Sequence, residues 1–398
     1  MNFVFVSLQR INTDRESTST SLAKELAKHH KVLYVNPPID RRTWLNPSRE
    51  DQYGQAHIQA IKEAVPALRA CTENLWEFNP PHIIESINWI PSTLLFTCLN
   101  YFNNKTFASD IKKAIKEIGF SSFVLINDKD MFRSYYLKEI LKPRFYIYLD
   151  RDYTLGFDYW RKHGISLEPK LMAKSDAVVC NSPDFQKRAS QYNPNSFYIG
   201  NGSGMKDDVE DKAGRRPKEL ADITGPVIGY VGALTSHRLD ISLIEEVASY
   251  FTSSTIVLVG PQDDVFQSSK LHQMPNVLFI EKKSKEEVPS YISCFDVCIN
   301  PQLKNEITMG NFPMKIVEYL AMGKPVVATK TNTMEEIFSS CTYLADNAKE
   351  FISQTERALS ENTDIHTLQR KAFSRQFSWT NVTSALLNVI SNLDGNEH

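Results

Sequence analysis

The pattern that most constrains this chain is an alternation of short apolar runs with segments of helical spacing, sustained over almost its whole length. The first series of runs is NFVFVSL, KVLYVN, SFVLIN, RFYIYLD, AVVCNS and SFYIGN. The second is VIGYVGAL, STIVLVG, NVLFIE, DVCINP, PVVAT and TYLA. Runs rich in β-branched and aromatic residues, alternating with helices, predict parallel sheets built from βαβ units. Between the first two runs, STSTSLAKELAKHH places Leu22 and Leu26, and Ala23 and Ala27, four apart, with Ser and Thr available as caps.

The two series are separated by SGMKDDVEDKAGRRPKELADITGP, residues 203–226, which is charged, punctuated by Gly and Pro, and poor in large apolar side chains. That composition reads as an interdomain linker. A chain of 398 residues also exceeds what one small core organises. The expected fold class is therefore α/β, with two doubly wound, Rossmann-like domains. They cover 1–205 and 226–375, with a linker over 206–225 and a C-terminal helix in 376–398 that packs back on one of them. Ligands of such folds belong at the carboxyl ends of the strands, in the cleft between facing domains.

Composition narrows the function. The formal net charge of −2 gives no global field for nucleic acid. None of the six cysteines makes a CxxC pair, so neither a zinc site nor a disulfide framework is expected, and a reducing cytoplasm fits best. The apolar run at the N-terminus is too short for a signal peptide. The uncharged stretch from Ser86 to Asn104 contains Pro91 and scattered polar residues, so it does not span a membrane. It suits either a core helix of the first domain or a surface helix that docks on a membrane.

The stretch NFPMKIVEYLAMGKPVVAT, Asn311 to Thr329, carries the chemistry. Phe312-Pro313 supplies a helix start, Gly323 a C-terminal cap and Pro325 a stop, which predicts a helix over about 313–322. Ile316, Val317, Leu320 and Ala321 form its sheet-facing side; Lys315, Glu318, Tyr319 and Met322 share another face. A cation in the first turn opposes the helix dipole at a cost of roughly 0.3–1 kcal/mol. A bound anion reverses that sign, because free backbone N–H groups and the ammonium then converge on a phosphate. Glu318, one turn in, could accept two hydroxyls of a sugar. The alternative is a plain Lys–Glu surface pair. Gly310, just upstream, permits close backbone approach.

With these residues in view, PMKIVEYLAMGKPVVAT resembles the donor-site segment of glycosyltransferases of the GT-B fold, closest in style to bacterial group 1, family 4-like transferases that build capsule, exopolysaccharide and other surface polysaccharides. GYVGAL (229–234) resembles the first strand and glycine turn of their C-terminal domain, and FDVCINP (295–301) the strand entering the donor loop. SLEPKLMAKSDAVVCNSPDF (166–185) resembles the last helix and strand of their N-terminal domain, and GNG (200–202) the crossover. The resemblance implies two Rossmann-like domains facing across a cleft and transfer of a sugar from a UDP- or GDP-sugar, with no metal and no other cofactor. The acceptor would be a saccharide or a lipid-linked saccharide. It places Lys315 on the diphosphate, Glu318 on the ribose, and the Gly229–Gly232 turn under the phosphates; Met314, Arg238 and Gly310 are further candidates at the donor. Many members carry a further Glu eight positions before the Glu of EYLA; here that position is Gly310, and Glu306 is out of register.

Asp150 and Asp152 at the end of RFYIYLDRDY are the candidates for catalytic base or acceptor ligand, with Asp152 favoured. Asp128, after another strand, is a weaker one. Arg238 could fork onto a phosphate or pair with Asp240. Arg10, Asp14 and Arg15 follow the first strand and could meet the acceptor, while Tyr153, Phe157, Tyr159 and Trp160 could stack on sugar rings or pack in the core. The expected protein is a cytoplasmic glycosyltransferase, peripheral at the inner membrane face. The alternatives are a nucleotide-sugar 2-epimerase of the same architecture and a non-catalytic partner subunit, which Gly310 keeps open. A nicotinamide enzyme is disfavoured, since no GxGxxG follows the first strand.

Overall fold

The structure, a computed structural model, describes residues 1–13, 17–204 and 216–395. The chain divides into two compact units, one of residues 1–200 with the segment from Trp379 onward, the other of residues 201–378. Most of the segment expected as a linker, 206–215, lies outside the described residues.

The first unit is built on eight strands: β1 Asn2–Ser7, β2 Lys31–Val35, β3 Leu68–Thr72, β4 Leu75–Phe78, β5 Val124–Asp128, β6 Phe145–Asp150, β7 Ala177–Cys180 and β8 Ser196–Tyr198. They lie in the order β3-β4-β2-β1-β5-β6-β7-β8. All neighbours are parallel except β3, which pairs antiparallel with β4 at the edge. Successive residues of β1 point to opposite sides. Val4 and Val6 pack with the helices Thr93–Ile118 and Asp158–Lys174, while Phe3 and Phe5 pack with the helix Thr18–Leu26. Both faces of the sheet are thus buried, as its continuous apolar runs require. The C-terminal helix Trp379–Gly395 belongs to this unit. Val382, Leu386, Val389 and Ile390 join Leu22 and Leu26 in the same core, and Thr380 donates to Glu25 at 2.9 Å.

The second unit has six parallel strands: β9 Val227–Val231, β10 Thr255–Val259, β11 Val277–Ile280, β12 Val297–Asn300, β13 Val326–Thr329 and β14 Tyr343–Ala345. Their order is β11-β10-β9-β12-β13-β14. Connections leave β1 and β5 toward opposite sides in the first sheet, and β9 and β12 do so in the second. Each sheet therefore has a switch point, where open α/β folds place ligands.

The antiparallel hairpin β3–β4 was not among the expected strands. Its edge position explains this: Arg69 and Glu77 face each other across it, ion-paired at 2.6 Å, so neither strand reads as an apolar run. Among the described residues no helix is long and apolar enough to cross a membrane.

Candidate functional site: two strand-end clusters

In the second unit the expected helix forms over Met314–Ala321, with Pro313 at its N-cap and no side chain capping the first turn. Its leading N–H groups are left for another partner. Lys315 folds back from this turn onto Tyr230 of β9. Its ammonium bonds the Tyr230 hydroxyl and sits 3.9 Å from the ring centroid. Burial pushes the Lys315 pKa down to about 7, with Arg238 acting in the same direction and Glu318 opposing them. Lys315, Glu318 and Arg238 are therefore electrostatic neighbours, and Glu318 is half-buried one turn into the helix. Arg238 is exposed, and Asp240 accepts from the Leu243 N–H as a helix cap.

Gly232 closes the arrangement. Its φ of +146° suits glycine, and a Cβ there would lie 2.8 Å from the Lys315 ammonium and 3.1 Å from the Tyr230 hydroxyl. Gly310 is buried in the loop before the helix, Met314 is half-buried against the core beneath it, and Glu306 is exposed. One expectation for the helix is corrected. Tyr319 does not share an outer face with Lys315; it is buried, and its hydroxyl accepts from the Val231 N–H at 2.8 Å, fixing the end of β9. Met322 is likewise buried, because the helix ends in core.

Buried polar atoms without a hydrogen-bond partner gather at the same strand ends. Both side-chain atoms of Asn300, the last residue of β12, have none, nor do Thr329 Oγ1 at the end of β13, Thr333 Oγ1, or Asn311 Oδ1 beside the helix. Orphaned polar groups of this kind cost stability unless a ligand engages them. Sequence reasoning missed Asn300, Thr329 and Thr333; for Asn300 and Thr329 the signal was a polar residue ending an apolar run, and Thr333 carried none.

In the first unit the strand-end carboxylates have distinct settings. Asp150 is fully buried, bonded to Lys129 and 2.7 Å from Arg188. Lys129 also holds Glu168 at 2.6 Å, which accepts from Tyr148 at 2.7 Å. Burial alone would raise the Asp150 pKa, but Arg188 and Lys129 outweigh it and hold the group below the usual range. Asp150 is thus a structural counter-ion rather than an accessible base, which corrects that expectation. Asp128 is corrected on the same ground, being buried and gripped by Arg151 at 2.6 Å and by the Ser7 hydroxyl at 2.6 Å. Asp152 differs. Its side chain is 40% exposed, and one contact, Arg151 Nη1 at 2.6 Å, orients it. Asp14 and Arg15 lie outside the described residues. Of the aromatic residues, Trp160 stacks on Phe132 in the core, whereas Phe157 and Tyr159 are exposed. Among the described residues, no group of three or more His, Cys, Asp or Glu is placed to hold a metal ion.

Residues 225–361 match the family model described as "Glycosyl transferases group 1". Over 234 residues the chain is 27% identical to TuaH of Bacillus subtilis (strain 168), named as a teichuronic acid biosynthesis glycosyltransferase. That match covers 56% of the chain and 58% of TuaH, so it spans little more than half of the relative. Among solved structures, Anabaena HepE in complex with UDP aligns with a TM-score of 0.66 at 15% identity, covering 98% of this chain and 99% of that one. Sucrose-phosphate synthase from Thermosynechococcus elongatus aligns at 0.65 and 14%, covering 99% of each chain. Trehalose 6-phosphate synthase from Burkholderia multivorans aligns at 0.67 and 11%, covering 100% and 99%. At these identities the likeness is one of fold.

Proposed function

We propose that this chain, a GT-B protein whose residues 225–361 belong to the group 1 glycosyltransferases, transfers a sugar from a nucleoside-diphosphate donor, UDP- or GDP-linked, to a saccharide or lipid-linked acceptor in surface polysaccharide biosynthesis. The observation that carries the reading is the half-buried Lys315 at an uncapped helix N-terminus, folded over Tyr230 beside a glycine turn. That constellation suits a diphosphate: backbone N–H groups and one ammonium supply the positive charge that a departing nucleoside diphosphate needs. Lys315 can fill this role without a metal ion. Glu318 is assigned to the ribose hydroxyls, and Asn300, Thr329 and Thr333 to polar groups of the donor.

On the acceptor side Asp152 is the strand-end carboxylate with solvent access. In an inverting transfer it takes the proton of the acceptor hydroxyl as that oxygen bonds the anomeric carbon and the bond to the donor phosphate breaks. Thermal stabilisation by UDP, GDP and their sugar conjugates tests the donor, and incubation with donor alone separates transfer from 2-epimerisation. A chain that binds no nucleotide under these conditions refutes the reading.

A peripheral membrane contact is part of the proposal. The first half of the helix Thr93–Ile118 is inverted. Asn100, Asn103 and Asn104 are buried and bonded to the backbone of Phe132, Glu85 and Tyr136, while Leu94 (77%), Leu95, Leu99 and Phe102 (64%) are exposed. Exposed Lys105, Lys112 and Lys116 continue the stripe at helical spacing. An apolar face leading into lysines fits an anionic lipid surface, where a lipid-linked acceptor would reside.

A further inference from the structure

Arg10 follows β1 at the switch point of the first sheet, in a loop pinned on several sides. The Gln9 N–H donates to Ser7 Oγ at 3.0 Å, the Gln9 carbonyl accepts from Tyr34 at 3.0 Å, and the Ile11 N–H donates to Asn36 at 3.0 Å. The guanidinium donates from Nη1 to His57 Nδ1 at 3.0 Å, and His57 Nε2 lies 3.0 Å from the Pro80 carbonyl. A carbonyl only accepts, so His57 carries its proton on Nε2 and receives Arg10 on Nδ1. The imidazole is buried and neutral; burial first, then Arg10, pushes its pKa down to about 4 despite the Pro80 bond. Arg10 is therefore oriented by a neutral group, and among the described residues no carboxylate forms an ion pair with it.

A second guanidinium stands close by. Arg133 follows β5, the parallel neighbour of β1, and its Nε is held by buried Asp130 at 2.8 Å. Burial lowers the Arg10 pKa, and the charge of Arg133 acts in the same direction, while Asp51 and Glu77 oppose them. Those carboxylates are engaged elsewhere. Asp51 caps Gly54, and Glu77 binds Arg69, Asn12 and Asn36. In the same loop the buried Gln9 Oε1 has no hydrogen-bond partner, an acceptor suited to a hydroxyl. Arg133 has Asp130 as its counter-ion, but among the described residues Arg10 has none, and a partly buried charge so placed is costly unless a ligand supplies one.

We infer that Arg10 and Arg133 form a subsite for an anionic group, a carboxylate or a phosphate, on the sugar that enters this unit, with Gln9 taking a neighbouring hydroxyl. The inference rests on the first unit being the acceptor side. Planar carboxylates and phosphates both match paired guanidinium forks.

The test uses the full chain saturated with UDP, so that Lys315 is occupied, and titrates D-glucuronate, glucose 6-phosphate and glucose by calorimetry. The charged sugars should bind more tightly than glucose, and whichever of the two binds better identifies the anion. Arg10→Met and Arg133→Met should each weaken that binding by about tenfold or more, leaving the Kd for UDP unchanged. His57→Gln, which keeps an acceptor for Arg10 and a donor for Pro80, should retain affinity, whereas His57→Leu should lose it. Equal binding of charged and neutral sugars, or charged-sugar binding unmoved by both arginine variants, overturns the subsite. A chain that binds no UDP yet loses glucuronate binding with Arg10→Met overturns the donor assignment instead and leaves the subsite standing.

Discussion

Lys315 offers a test whose size follows from its surroundings. In the ligand-free protein it loses its proton near pH 7, because it sits in a low-dielectric setting against Tyr230 with Arg238 nearby. A diphosphate brings the opposite charge and restores the ordinary lysine pKa, near 10.5. Binding above pH 7 must then take up a proton, and affinity falls as pH rises. With those two values the weakening from pH 7 to pH 9 is about 50-fold, or about 2.3 kcal/mol. This window lies above the second ionisation of a phosphate, around pH 6, so the ligand charge hardly changes across it. Isothermal titration of UDP in buffers of different ionisation enthalpy measures both the Kd and the proton uptake. Lys315→Arg, always charged, should bind with little pH dependence, and Lys315→Met should bind weakly with none. If wild type and Lys315→Met show the same slope, the titrating group is elsewhere and the diphosphate assignment fails. The sign for stability is opposite to that of an ordinary ion pair. The unfolded lysine keeps its proton to about pH 10, so the empty fold gains stability as pH rises from about 7 toward that value.

Glu318→Ala should weaken UDP binding more than binding of inorganic pyrophosphate; equal losses would remove the ribose role. Asp152→Asn should abolish transfer while leaving the Kd for UDP and the melting temperature near wild type. By contrast Asp150→Asn, which leaves Lys129 and Arg188 to share the single carboxylate of Glu168, should cost stability of about 3–5 kcal/mol in urea unfolding. Leu94→Glu combined with Phe102→Glu should abolish co-sedimentation with vesicles containing phosphatidylglycerol while leaving UDP binding intact, and unchanged sedimentation would end the membrane reading.

Much of the architecture was legible because apolar runs buried on both faces leave few alternatives to parallel strands. The C-terminal helix could be expected to pack back, but not onto which unit. That depends on Val382, Leu386 and Ile390 matching a groove beside Leu22 and Leu26, and local spacing does not encode it. Lys315 could be singled out because it contradicts the helix dipole, and Gly232 because GYVGAL resembles the first strand and glycine turn of the family's C-terminal domain. Tyr319 was misplaced by the same logic: helical spacing puts it beside Lys315, yet its hydroxyl reaches the backbone of Val231 and draws the ring into the core.

The carboxylates show the limit most clearly. Asp128, Asp150 and Asp152 all lie at strand ends in sequence, and nothing local ranks them. What separates them is the cation each meets. Lys129 and Arg188 arrive at Asp150 from other elements, and Arg151 bridges Asp128 to Asp152. Arg151 bonds both carboxylates, but Asp128 is sealed by Ser7 while Asp152 keeps a face in solvent. The same reasoning run in reverse picks out Arg10. A strand-end cation whose partner is a neutral imidazole, beside a second cation, has been oriented without being neutralised. A lone charge at a switch point is informative according to whether the fold has already supplied its counter-ion. By that criterion the open positions among the described residues are Lys315 and Arg10, while Asp152 and Arg133 are each oriented by one ion-pair partner and keep part of their surface accessible.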